Sequence, residues 1–235
     1  MKVQYCEWDS QFFGKKIGQL FYYSAFEAEM IQLLEESKAE GYQLIYVFGN
    51  ENLYFEKPLL EQFNGHLADQ KCLYSKTISD LDSSRSIARE YEGSDLTKDF
   101  TTLACLSGTY SRFHLDNGFD KEDFYHLYSI WITRSLKKEI ADKIFVVTES
   151  EKIMGMVTLK ITDNVGRIGL FAVSETTQGK GYGSSLINAC VNDLLSKHIY
   201  QLEVPTQMEN TVACRFYEKS GFSIQTITNI YHFWL

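Results

Sequence analysis

The chain has 235 residues, 44% hydrophobic and 14% aromatic with only two prolines, enough apolar material for one or two packed units and too much for an intrinsically disordered protein. Thirty-one acidic against twenty-three basic side chains give a formal charge of -8, the wrong sign for a surface that neutralises phosphate backbones, so nucleic acid is not an expected partner. The longest apolar runs, Leu44 to Phe48 and Ile168 to Val173, are far shorter than the ~20 residues of a membrane helix, and Met1 to Tyr5 lacks a signal pattern. Cys6, Cys72, Cys105, Cys190 and Cys214 are odd in number and never in CxxC spacing, which argues against a disulfide framework or a zinc site, and a cytoplasmic protein is expected.

In chain order, Phe26 to Glu40 has helical apolar spacing, Tyr42 to Phe48 reads as a buried strand, Leu53 to Phe63 as a second helix, and strands fill Leu67 to Ile78. The polar, aperiodic stretch from Ile78 to Arg85 marks a boundary, dividing the chain into residues 1–82 and 83–235. Beyond it, Ser94-Asp95 has the character of an N-cap opening a helix through Leu106, and Phe124 to Leu136 is a long aromatic-rich helix. Strands follow at Ile144 to Thr148, Ile153 to Ile161 and Arg167 to Val173, then a helix at Gly181 to Ser196. The pattern closes with a strand at Gln201 to Pro205, a helix at Asn210 to Ser220 and a strand at Ile230 to Leu235, implying an α/β protein with a mixed sheet. The closing strand is apolar and reads as an exposed edge able to pair between subunits, the basis for expecting a homodimer. Strand-helix-strand segments beginning at Leu44 and at Gln201 also echo one another weakly, as if the N-terminal unit were a decayed half-copy.

Between an apolar strand and an apolar helix lies Gln178-Gly179-Lys180-Gly181-Tyr182-Gly183-Ser184. A helix start leaves N–H groups unpaired and partially positive, and glycines let the backbone close around an anion, so a phosphate belongs here, with Lys180 able to add charge. The P-loop is excluded because Gly181, not Ser or Thr, follows Lys180, and the dinucleotide fingerprint fails at Ser184. Downstream, Asn210, Ala213, Tyr217, Gly221 and Phe222 form N-x-x-A-x-x-x-Y-x-x-x-G-F. At roughly 100° per residue Asn210, Ala213 and Tyr217 share a helix face, with Asn210 as cap and Gly221 as a left-handed stop.

These two motifs, in this order, resemble the GNAT family of acyl-CoA N-acyltransferases over roughly Ser86 to Leu235. The resemblance implies a GNAT-type mixed central sheet, acetyl-CoA as cofactor, and pantetheine inserted where the strands Arg167 to Val173 and Gln201 to Pro205 splay apart. Leu170, Phe171, Ala172 and Val173 would offer backbone groups to the thioester and pantetheine, Gln178 to Ser184 would hold the pyrophosphate, Asn210 would contact the pantetheine arm, and Tyr217 would lie beside the sulfur. Trp8 to Gly14, Ser111-Arg112-Phe113 and Val204 to Thr211 look like the bacterial TDP-fucosamine acetyltransferases, which carry a truncated GNAT-like N-terminal domain and acetylate the amine of a dTDP-linked deoxysugar. That likeness implies a small-molecule nucleotide-sugar acceptor in surface polysaccharide biosynthesis.

Amine attack on a thioester needs a base for the nitrogen, a donor to the developing oxyanion and an acid for the thiolate. Tyr217, with a reference pKa of about 10, suits the acid, and a strand N–H near Phe171 to Val173 suits the oxyanion. For the base, the resemblance points to the strand at Asp69-Gln70-Lys71; Gln70 cannot accept the proton, leaving Asp69, His114, Asp116 or connected water. Arg112 could bind a diphosphate and Phe113 stack on a base or sugar, while Trp8, Phe12 and Phe13 either line a sugar pocket or plug a small core. His66, His126, His198 and His232 lack metal-ligand spacing, and no metal is expected. The alternatives are acetylation of another small amine or a peptide amine, or an acyl-CoA-binding module without chemistry.

Overall fold

The computed structural model describes residues 2–22 and 27–235. Its strands are β1 (Gln4–Tyr5), β2 (Ile17–Phe21), β3 (Leu44–Asn50), β4 (Gly65–Thr77), β5 (Arg89–Glu90), β6 (Lys143–Glu149), β7 (Lys152–Thr162), β8 (Val165–Val173), β9 (Gln201–Gln207) and β10 (Ser223–Trp234). Its helices are α1 (Glu7–Phe13), α2 (Glu27–Ala39), α3 (Lys57–Gln62), α4 (Lys98–Ser107), α5 (Arg112–Leu115), α6 (Lys121–Leu136), α7 (Tyr182–Ser196) and α8 (Thr211–Lys219). The ten strands form one mixed sheet in the order β1-β2-β3-β10-β4-β9-β8-β7-β6-β5, parallel at β2–β3 and β8–β9 and antiparallel elsewhere.

Side chains alternate across a strand, so each strand feeds two cores. Leu44 and Tyr46 of β3 join a cluster with Phe13, Phe100, Leu127 and Phe119, whereas Ile45 and Val47 join one with Met30, Leu34, Leu59 and Phe233. A third cluster gathers Leu186, Cys190 and Leu194 of α7 with Tyr217, Tyr74 and Val204.

Several sequence expectations move. The helix expected from Leu53 is only Lys57–Gln62: Pro58 sits in its first turn, where a missing N–H costs nothing, and Tyr54 and Phe55 precede it. The cap of α4 is Thr97, whose hydroxyl accepts from the Phe100 N–H, not Ser94-Asp95. Phe26, the expected start of the first long helix, lies outside the described residues. The closing strand is no edge. Across Ile230 to Trp234, β10 pairs with β3 on one side, and through Phe233 with β4 on the other, so the ground for pairing between subunits is removed. It runs from Ser223, longer than expected, because β4 pairs with its backbone from Ser223 onward and β3 joins from Thr228.

The echoing segments sit in the sheet with their last strands exchanged. The order β3-β10-β4-β9 places the end of each strand-helix-strand segment between the strands of the other, antiparallel throughout.

Candidate functional site

The site begins where two neighbours part. Strands β8 and β9 pair in parallel only at Gly166 with Leu202 and Arg167 with Glu203; beyond that point they diverge. On its other side β8 carries a bulge: Phe171 faces Val157 and Ile168 faces Leu159, so Gly169 and Leu170 together oppose Thr158. Thr158 Oγ1 fills the gap by accepting from the Leu170 N–H at 2.8 Å, and a Cβ at Gly169 would sit 2.8 Å from that oxygen. The extra residue flips the alternation, sending Ile168 and Leu170 into different cores. Between Leu170 and Val173 the edge of β8 that faces β9 therefore has no strand partner among the described residues.

Past β8 the chain enters α7. Gly179 and Gly181 have φ of +82° and +79°, and a Cβ at either would meet nothing within 4 Å, so the glycines serve backbone conformation rather than space. No side chain among the described residues caps α7, which leaves its first N–H groups directed at whatever occupies the turn. A Cβ at Gly183 would come within 3.1 Å of the Phe216 ring, which itself stacks on Phe171 at 5.6 Å. Lys180 turns away: its ammonium pairs with Glu149 at 2.8 Å, and the Tyr182 hydroxyl binds the same carboxylate. An uncapped helix start, a strand pair opened at a bulge and an unpartnered strand edge together fit a nucleotide thioester.

Helix α8 stands at the same opening. Asn210 caps it, its Oδ1 accepting from the Ala213 N–H at 3.1 Å, and Gly221 ends it at φ +84°. Tyr217, 3% exposed, packs among Phe171, Phe216, Phe222 and Tyr74. Burial pushes its phenol well above the ordinary range, so it stays protonated.

A cavity of about 1030 Å³ joins this opening to a chamber on the other face of the sheet, lined by Trp8, Asp9, Phe48, Asp69, Lys71, Arg112 and Phe113 among others. Strand β4 is bulged at Ala68, since Asp69 faces Ile230 and Leu67 faces Tyr231. From there Asp69 and Lys71 point into the chamber, while Gln70 turns aside and donates to Asn229 Oδ1 at 3.0 Å. One carboxylate oxygen of Asp69 is buried without a hydrogen-bond partner among the described residues, and burial pushes its carboxyl up to about 6 against the pull of Arg112 and Lys71.

Cofactor-side residues Leu170, Phe171, Ala172, Val173, Gln178, Gly179, Gly181, Tyr182, Gly183, Ser184, Asn210 and Tyr217 all line the cavity; Lys180 does not. On the acceptor side Trp8, Asp69, Arg112 and Phe113 line it. Phe12 and Phe13 do not: Phe12 stacks under Trp8 at 5.0 Å, and Phe13, 6% exposed, is core against Phe119. Of the other bases considered, neither His114 nor Asp116 lines the cavity, and Asp116 is buried against His232, Trp234 and His66. Sequence reasoning passed over Asp9, Lys71 and Thr158; only the alternation of Asp69 and Lys71 along one strand face hinted at the second of these.

A sheet whose parallel pair opens beside an uncapped glycine-rich helix start is the framework of an acyl-CoA-dependent acyltransferase. Residues 106–222 match the model of the Acetyltransferase (GNAT) family, and through them the chain belongs to the GNAT superfamily of acetyltransferases, whose cofactor is acetyl-CoA. The streptothricin acetyltransferase of Escherichia coli is 33% identical over 75 residues, covering 32% of this chain and 43% of that protein. N-alpha-acetyltransferase 30 of Saccharomyces cerevisiae is 24% identical over 110 residues, 43% of this chain and 62% of that one. The chain thus spans less than two thirds of either relative. Solved structures share the fold as well. A functionally unknown conserved protein from Staphylococcus epidermidis has a TM-score of 0.62 at 14% identity, covering 94% of this chain and 84% of its own. A GCN5-related N-acetyltransferase from Sphaerobacter thermophilus has a TM-score of 0.57 at 13% identity, covering 92% and 72%. No helix among the described residues is long and apolar enough to cross a membrane.

Proposed function

We propose that the chain transfers the acetyl group of acetyl-CoA to the amine of a dTDP-linked amino-deoxysugar, in the cytoplasm and in the service of surface polysaccharide biosynthesis. The observation that carries this reading is the single cavity joining the strand opening and Tyr217 to a chamber with Asp69, Arg112 and the exposed face of Trp8. In it, residues 1–82 supply much of the acceptor side and residues 83–235 the cofactor side.

The bound thioester supplies an acyl carbon open to attack by a neutral amine. Asp69 takes the proton that the nitrogen sheds as the C–N bond forms. A backbone N–H between Phe171 and Val173 donates to the carbonyl oxygen as charge gathers there, a contribution typically worth ~3 kcal/mol of barrier. Tyr217 gives its proton to the sulfur as the C–S bond breaks, and its buried phenol is recharged from solvent once product leaves. Trp8, 42% exposed over Phe12, offers a flat platform for a base or sugar ring.

Incubation with acetyl-CoA and a set of dTDP-4-amino-4,6-dideoxyhexoses should release free thiol; acetylation of other amines but none of these sugars would overturn the acceptor. The likeness to a protein named for streptothricin supports a second reading, a different small amine, and such amines belong in the same panel. Tyr217→Phe should lower kcat by about 10²-fold while CoA affinity holds, the range expected for loss of a general acid. Unchanged turnover would sink the role, and an inert wild type that binds CoA would favour a binding module.

A further inference from the structure

Arg112 and Lys71 are cations without close anions. Among the described residues neither has a carboxylate within 4.0 Å, although both line the acceptor chamber. The guanidinium is held by other means. It lies over Tyr46 at 4.2 Å and over Phe113 at 4.6 Å, and Nη1 donates to His232 Nε2 at 3.3 Å. That direction follows from the far side of the imidazole, where Nδ1–H donates to Asp116 Oδ2. Asp116 also accepts from Trp234 Nε1 at 3.1 Å and from the Gly118 N–H at 2.8 Å, with His66 Nε2 at 3.4 Å. His232 is fully buried, and burial lowers its pKa to about 3 despite Asp116, so the ring is neutral and its Nε2 lone pair is free to accept.

One N–H of a five-donor fork is thus engaged by a fully buried ring hydrogen-bonded to Asp116, and among the described residues the planar group keeps its remaining donors. Asp9 and Asp69 face the same charge from a distance; burial raises both carboxyls more than that charge lowers them, and neither satisfies those donors. Lys71 projects from the same chamber wall with its side chain exposed to the cavity, and it makes no hydrogen bond or ion pair among the described residues. A guanidinium held in place and an ammonium beside it, neither ion-paired among the described residues, next to a carboxylate and a phenol call for a ligand with a doubly charged oxyanion near its amine.

We propose that Arg112 and Lys71 form the receptor for a diphosphate carried by the acceptor, and that Asp116 and His232 are positioning residues that set the Arg112 fork for it. This rests on the reading that the chamber holds the acceptor. It adds the means by which the chamber selects a phosphorylated amine over a neutral one.

Binding of inorganic pyrophosphate and of dTDP is to be measured by calorimetry at saturating CoA, so that the cofactor's own phosphate site is filled. Wild type should bind both; Arg112→Gln and Lys71→Met should each weaken them about ten-fold or more, as loss of a charge-assisted contact does. His232→Leu should match Arg112→Gln, and His232→Gln, whose amide oxygen can accept from the guanidinium, should recover most of the loss. Thymidine, lacking the diphosphate, should bind all variants alike. Should His232→Leu not fold, Arg112→Lys carries the same test, since it keeps the charge but loses the fork. No affinity in wild type, a His232→Leu protein that binds as wild type, or equal losses for thymidine would overturn the proposal. Diphosphate binding without turnover of any dTDP-amino sugar would instead remove the proposed acceptor and leave the receptor standing.

Discussion

Asp69 and Tyr217 are moved in the same direction by the same cause, and the proposed chemistry would use the two shifts differently. Burial keeps the phenol protonated, as an acid requires, and brings the Asp69 carboxyl up to about 6, close to where a base works best near neutral pH. Because the anion is the form that accepts a proton, kcat/KM should rise with pH through about 6 and level off above it. Asp69→Asn should lose that limb and fall by about 10²-fold or more; a variant with wild-type rates would show that the base lies elsewhere. For stability the sign reverses. The folded state binds a proton more tightly than the unfolded chain between the ordinary 3.8 and about 6, so stability is lost as pH rises through that window, and Asp69→Asn should melt above wild type at pH 8. Loss of activity with gain of stability would separate a functional carboxylate from a merely structural one.

At the level of elements, the opening depends on the bulge of β8 and the turn before α7. Thr158→Val removes the hydroxyl that accepts from the Leu170 N–H, leaving a buried donor unpaired at a typical cost of about 1–3 kcal/mol. Its melting temperature should fall and its KM for acetyl-CoA should rise, because the bulge is what frees the strand edge; a lower melting point with unchanged KM would confine Thr158 to stability. Gly181→Ala meets open space but a left-handed backbone, strain of about 1–2 kcal/mol placed at the first turn of α7. It too should weaken acetyl-CoA, measured as KM, without a packing defect. Both cofactor motifs were legible in the sequence because they are local: a turn and a helix face are written in consecutive residues. Elements whose reason lies far off in the chain were not. Short α1 and β2 owe their places to β3, the length of α3 to Pro58, and the interior position of β10 to partners far back in the chain, in β3 and β4. The chamber proposed for the acceptor assembles Trp8, Asp69 and Arg112 from three regions, and only a resemblance, not spacing, connected them.

For the whole molecule, the exchanged order β3-β10-β4-β9 ties the two halves of the sequence into one sheet. Expressed apart, residues 1–82 would expose both edges of β4 and residues 83–235 both edges of β10, so each piece should aggregate alone while co-expression recovers a soluble, acetyl-CoA-binding pair. Independent folding of either piece would show that the exchange is dispensable.

The bulge at Ala68 has a consequence of another kind. Period-two alternation means that a slip of one residue in β4 would withdraw Asp69 and Lys71 from the chamber and present Gln70 in their stead. The strand therefore stores two chemical vocabularies, one ionisable and one neutral, and the choice between them is made by a backbone offset and not by the side chains themselves. An insertion or deletion beside Ala68 could turn catalysis off or on in a relative whose residues look unchanged, so aligned letters along this strand would be a poor guide to which descendants still react.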